Sequence, residues 1–144
     1  MILVDTNILV YAHNSDSELN EVARRLMLDA VDGRFDACIT PQNLLEFFSV
    51  ITNPKRVERP LDSKIAQQIM LNYWHSQKIH KIYPSNSIFI RLAQLVKEMK
   101  ITKTEIFDCH LYVTMEENNV FEIYTKDIHH FTRFPDLKVI DPFL

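Results

Sequence analysis

The sequence predicts an α/β protein of three layers, α/β/α, with helices on both faces of a central parallel sheet of about five strands. Two observations carry that expectation. The short runs Met1–Val4 and Val120–Thr125 deliver acids at their ends, Asp5 directly and Asp127 after Lys126, as buried parallel strands do where they leave a sheet. Between such runs lie longer segments with apolar residues at helical spacing, and strands alternating with helices imply a sheet covered on both sides. The length of 144 residues fits one domain, 1–144, able to bury roughly 70% of its unfolded surface.

The elements follow in order. After the first strand, Thr6 to Val10 forms a short helical turn that Tyr11 and Ala12 continue. Ser15-Asp16-Ser17-Glu18 matches a capping box for a helix with Leu19, Val22, Ala23, Leu26, Met27 and Ala30 on its inner face. Asp32-Gly33 ends it, glycine being free of the left-handed penalty at C′. Phe35 to Ile39 is a second strand. Thr40-Pro41 then starts a helix through Ile51, with threonine at the N-cap and proline at N1, where no backbone donor is wasted. Lys55 to Pro60 is a basic loop, and a helix from about Asp62 carries Ile65, Ile69 and Tyr73. Lys78 to Tyr83 is a strand. Ser85-Asn86-Ser87 caps a helix with Ile88, Leu92, Leu95, Val96 and Met99 inward. Thr102-Lys103-Thr104-Glu105 is a second capping box, and Asn118-Asn119 closes the helix that it opens. Val120 to Thr125 is a strand, Ile128 to Phe131 a short helix, and Leu137 to Ile140 the last strand.

Composition narrows the function. A single glycine leaves no phosphate loop and no dinucleotide fingerprint. A formal charge of −3 argues against holding nucleic acid by bulk electrostatics, although a cation bound among converging carboxylates would reverse the local sign. Cys38 and Cys109 have no metal-type spacing and read as buried thiols of a reducing, cytoplasmic compartment. No basic n-region precedes the first apolar stretch and no apolar run reaches the ~18 residues of a membrane span, so neither a signal peptide nor a membrane partner is expected.

Four acids stand out. Asp5 and Asp127 follow strands, at the sheet edge where open α/β proteins bind ligands, yet each also fits the plain role of capping the next helix. Glu46 lies opposite the Leu44, Phe47, Phe48, Ile51 face of its helix and meets either solvent or a wet cleft. Asp108 sits on a helix apolar nearly all round, which predicts burial and therefore a partner for its carboxylate. Carboxylates that converge repel one another, and Mg²⁺ or Mn²⁺, which prefer oxygen ligands, relieve that repulsion.

Asp5-Thr6-Asn7 after a strand, Glu46 after Thr40-Pro41, Asp108 on a late helix and Thr125-Lys126-Asp127 before Phe131 together resemble the PIN-domain nucleases. Within that family the chain is similar in size to the VapC toxins of VapBC toxin–antitoxin modules. The resemblance implies a Mg²⁺- or Mn²⁺-dependent endoribonuclease that leaves a 5′-phosphate and a 3′-hydroxyl, is silenced by a cognate antitoxin and is often a homodimer. It also implies that Asp5, Glu46, Asp108 and Asp127 are catalytic metal ligands, with Asn7 and Thr125 orienting them or the metal's waters. Cys109 stands where many members have alanine, and Glu105 adds an acid one turn before Asp108.

Other residues read more plainly. The six histidines are expected at the surface or in ordinary packing, with His110 pointing away from Asp108 and His129-His130 on different helix faces. Lys55, Arg56 and Arg59 offer phosphate contacts, and Lys97, Lys100 and Lys103 complement helix ends. Two alternatives remain: a non-catalytic interaction module on the same scaffold, and a phosphatase with Asp5 as nucleophile. The latter is weakened by Asn7, where such enzymes carry a second acid.

Overall fold

The computed structural model describes residues Met1–Leu144. Five strands and seven helices alternate: β1 (Ile2–Val4), α1 (Thr6–His13), α2 (Asn20–Val31), β2 (Ala37–Ile39), α3 (Pro41–Ile51), α4 (Ser63–His75), β3 (His80–Lys81), α5 (Ile88–Met99), α6 (Glu105–Glu117), β4 (Glu122–Tyr124), α7 (Ile128–Phe131) and β5 (Lys138–Ile140). The strands form one sheet in the order β3-β2-β1-β4-β5, and every pairing is parallel. The chain builds outward from β1 to β3 and then returns to place β4 on the other side of β1. The order therefore reverses between β1 and β4, the switch point at whose strand C-termini open α/β sheets bind ligands.

Alternation along each strand divides the core in two. Val4, Ala37 and Ile39 face one side and pack with Ile8, Leu9, Met27, Phe47 and Tyr73 of α1 to α4. Leu3, Cys38 and Ile123 face the other and pack with Leu92, Leu95, Leu111, Met115 and Phe131 of α5, α6 and α7. A residue shift of one in any strand would swap these sets, so the two apolar faces fix the register. The result is the expected α/β/α arrangement. Both cysteines are free and buried.

Local signals were followed unevenly. Thr40 caps α3, its side chain accepting from the Asn43 amide at 3.1 Å, with Pro41 at the first helical position. Asn43 returns the bond by accepting from the Thr40 N–H at 2.9 Å, which adds the second half of a capping box to the expected N-cap. Gly33 takes φ +72° and Asn119 φ 56°, the left-handed turns expected after α2 and α6.

Other expectations need correction. The Ser15–Glu18 capping box does not form: α2 begins at Asn20, after Leu19, which makes no side-chain cap. Asn20 Nδ2 instead donates to the Tyr11 and Ala12 carbonyls at 2.8 and 3.2 Å, which ties the start of α2 to the end of α1. The Thr102 box is half made, since Glu105 accepts from the Thr102 N–H at 2.8 Å while Thr104 is the N-cap and makes no side-chain bond. Ile65 is 54% exposed and Val22 47%, so the inner faces of α4 and α2 rest on Ala66 and Tyr73, and on Ala23, Met27 and Ala30. β3 keeps only 2 residues of the expected Lys78–Tyr83, while α1 runs Thr6–His13, one residue past the expected end at Ala12.

Candidate active site

The carboxylates gather where the strand order reverses. Asp5 ends β1 and is only 6% exposed. Its cap role is met, since Oδ1 accepts from the Thr6 N–H at 2.7 Å, while Oδ2 accepts from Thr125 Oγ1 at 2.6 Å and Asn7 Nδ2 at 2.9 Å. Asp127 follows β4 at the N-cap position of α7 but makes no side-chain cap. Its Oδ2 instead accepts from Asn7 Nδ2 at 3.1 Å, so one amide sits between two carboxylates. Thr125 Oγ1, fully buried, accepts from Asn7 Nδ2 at 3.0 Å and from the Asp127 N–H at 3.0 Å. Asn7 Oδ1 completes the arrangement by accepting from the Lys126 N–H at 3.2 Å.

Glu46 reaches the same network from α3. Its Oε2 accepts from Thr6 Oγ1 at 3.0 Å, and its Oε1 from Gln42 Nε2 at 2.8 Å. Thr6 adjoins Asp5, so Asp5, Glu46 and Asp127 belong to one hydrogen-bonded set. Asp108 lies beside that set without a bond to it. The C-terminal half of α6 is buried as expected, but Asp108, in its first turn, is 29% exposed and accepts from or pairs with His130 Nδ1 at 3.0 Å.

Electrostatics show how close the four stand. Burial pushes the Asp5 carboxyl up to about 7; the Thr125 and Thr6 hydrogen bonds oppose this, while the negative charges of Asp127 and Glu46 add to it. Burial also raises Asp108, the adjacent His130 opposes the rise, and the same Glu46 and Asp127 reinforce it. Glu46 and Asp127 thus act on both of the other acids. No lysine or arginine pairs with any of the four.

Such a donor set fits a hard divalent cation. Several carboxylates without a basic partner are costly until a positive charge joins them. No group of three or more His, Cys, Asp or Glu side chains is drawn in tightly enough to enclose an ion unaided. Mg²⁺ does not require that, because it keeps several waters and takes one or two carboxylates directly. Zinc, which favours nitrogen and sulfur ligands, suits the cleft less well.

A model of the PIN domain matches residues 2–137. The chain belongs to the PIN-domain family. Among its relatives is a Mycobacterium tuberculosis protein named Ribonuclease VapC24, 28% identical over 142 residues, which are 99% of this chain and 97% of that protein. VapC ribonuclease Mb2897 of Mycobacterium bovis is 25% identical over 119 residues, 83% of this chain and 81% of its own. Solved structures share the fold. The sarcin-ricin loop cleaving toxin VapC20 of M. tuberculosis superposes with a TM-score of 0.68 at 14% identity, covering 95% of this PIN domain and 98% of the toxin. VapBC2 of Rickettsia felis, solved with a promoter DNA fragment, gives 0.64 at 20% identity over 97% and 98% of the two chains.

Two histidines were missed by sequence reasoning in this PIN domain. His130, expected at the surface or in ordinary packing, touches Asp108, while His110, directed elsewhere, places its Nδ1 2.5 Å from Gln42 Oε1, one side chain from Glu46. No periodicity brings residue 130 to residue 108; only the packing of α7 against α6 does so. The basic loop is partly spoken for, because Arg59 makes a bidentate pair with Asp16 while Lys55 and Arg56 remain exposed.

Proposed function

We propose that this PIN-domain protein is an endoribonuclease that needs Mg²⁺ or Mn²⁺ and is the toxin of a type II toxin–antitoxin pair. The reading is supported above all by four carboxylates without a lysine or arginine partner at the β1/β4 switch point. The names of the VapC ribonuclease relatives support RNA as the substrate, and the VapBC2 complex of Rickettsia felis, which shares the fold, supports a cognate antitoxin. A cytoplasmic homodimer is part of the same proposal.

Asp5, Glu46, Asp108 and Asp127 would hold the ion. When bound, it would lower the pKa of a water and offset the charge gathering on the attacked phosphodiester. The chain's own contribution is orientation. The Thr6 N–H holds one oxygen of Asp5, and Thr125 and Asn7 hold the other. Asn7 also holds Asp127 beside Asp5 with its amide hydrogens, so two like charges stay adjacent without collapsing onto a cation of the protein's own. Asn7 in this role also disfavours the phosphatase alternative, which would need an acid there.

Incubating purified protein with RNA and Mn²⁺, then mapping the ends, tests the proposal. Cleavage is expected with Mn²⁺, lost in EDTA, and reduced at least about a hundredfold by Asp5→Asn or Asp108→Asn, the scale of removing preorganised charge stabilisation. Undiminished cutting by both variants would refute it.

A further inference from the structure

We infer that Gln42 is a positioning residue: it aims Glu46 and sets the spacing between α3 and α6, the helices that carry Glu46 and Asp108. The inference rests on the metal-pocket reading above. Gln42 occupies the second position of α3, one turn before Glu46, so the two side chains share a face. Its amide is saturated. Nε2 donates to Glu46 Oε1 at 2.8 Å and to the Phe107 carbonyl at 2.9 Å, and Oε1 meets His110 Nδ1 at 2.5 Å.

Chemistry fixes the direction of each bond. The Phe107 carbonyl can only accept, so the amide nitrogen faces it and the amide oxygen faces the imidazole. His110 Nδ1 must then carry a hydrogen, and the ring holds the amide against flipping. Every hydrogen bond between α3 and α6 passes through this one side chain. One carboxylate oxygen of Glu46 is set by Gln42 and the other by Thr6, beside Asp5. Gln42 therefore joins the Asp108 helix to the Asp5 end of the cleft. Without it, Glu46 keeps one anchor and α6 loses its hydrogen-bonded tie to α3.

Mn²⁺ affinity, read by titration calorimetry on the full chain, tests this without reference to turnover. Gln42→Ala is expected to weaken Mn²⁺ binding about tenfold or more, the scale seen when a ligand's orienting partner is removed. In a Glu46→Gln background the same change is expected to cost clearly less than in wild type, because the share carried by Glu46 is already gone and only the α3–α6 tie remains to lose. Gln42→Met keeps the side-chain length, removes the three bonds, and is read in the same way should the alanine variant fail to fold. Affinity within twofold of wild type, or an equal loss in both backgrounds, would overturn the clamp. If wild type binds Mn²⁺ through Asp5 while Gln42→Ala is indifferent, only the clamp fails. If wild type takes up no Mn²⁺, or takes it up equally after Asp5→Asn, the nuclease reading falls and the clamp with it.

Discussion

Asp5 holds a buried carboxyl whose ionisation the folded protein resists. Its folded value of about 7 lies above its ordinary value, so the fold favours the protonated form. The stability this group contributes is complete below about pH 4 and is lost as pH rises toward 7. One pKa unit is about 1.4 kcal/mol, so the metal-free loss is a few kcal/mol. In EDTA, the melting temperature of wild type is expected to fall relative to Asp5→Asn by roughly 5–10 °C between pH 4 and pH 7.5. A gap that stays constant across that range would contradict the assignment. Thr125 supplies a second test. Thr125→Val removes the hydroxyl that donates to Asp5 and accepts from the Asp127 N–H, and losing hydrogen bonds to a charged group is expected to cost about 1–3 kcal/mol. Denaturant unfolding measures that cost. The roles of Asp5 and Thr125 were legible because strand ends and their polar followers are local signals. Those of His110 and His130 were not, because their partners, Gln42 and Asp108, lie 68 and 22 residues away.

Among the elements, α3 shows a sequence signal that survives folding and α2 one that does not. Thr40, Pro41 and Asn43 lie within four residues, are buried or half-buried, and bond only among themselves and with Thr6, so the cap forms where the sequence puts it. Thr40→Ala is expected to cost about 1–2 kcal/mol in denaturant unfolding. Ser15 and Asp16 instead meet Arg59, more than forty residues on, and Asn20 captures two carbonyls of α1. Those tertiary bonds outcompete a local box of similar strength, which no short window of sequence reveals. α5 ends on Lys100 at φ 53°, a left-handed position that costs any residue with a Cβ. Lys100→Gly is expected to raise stability by about 0.5–1 kcal/mol in the same assay.

The whole molecule is legible at the level of layers. Short apolar strands alternating with amphipathic helices along the chain dictate the α/β/α arrangement. The strand order was not legible, since nothing in β1 or β4 names its neighbour; packing of α1 to α4 on one face and α5 to α7 on the other decides it. Ile123, fully buried in β4 at the centre of the second core, links that packing to the site two residues later. Ile123→Ala is expected to cost about 2–5 kcal/mol and to loosen Thr125 and Asp127 together. That order brings Asp5 and Asp127 to one edge, and α3 and α6 bring Glu46 and Asp108 to meet them. The direct test of that convergence is calorimetric titration of Mn²⁺ into wild type, Asp5→Asn and Asp108→Asn. Saturable wild-type binding that weakens at least about tenfold in each variant is expected; equal binding by all three proteins would contradict a shared cation pocket.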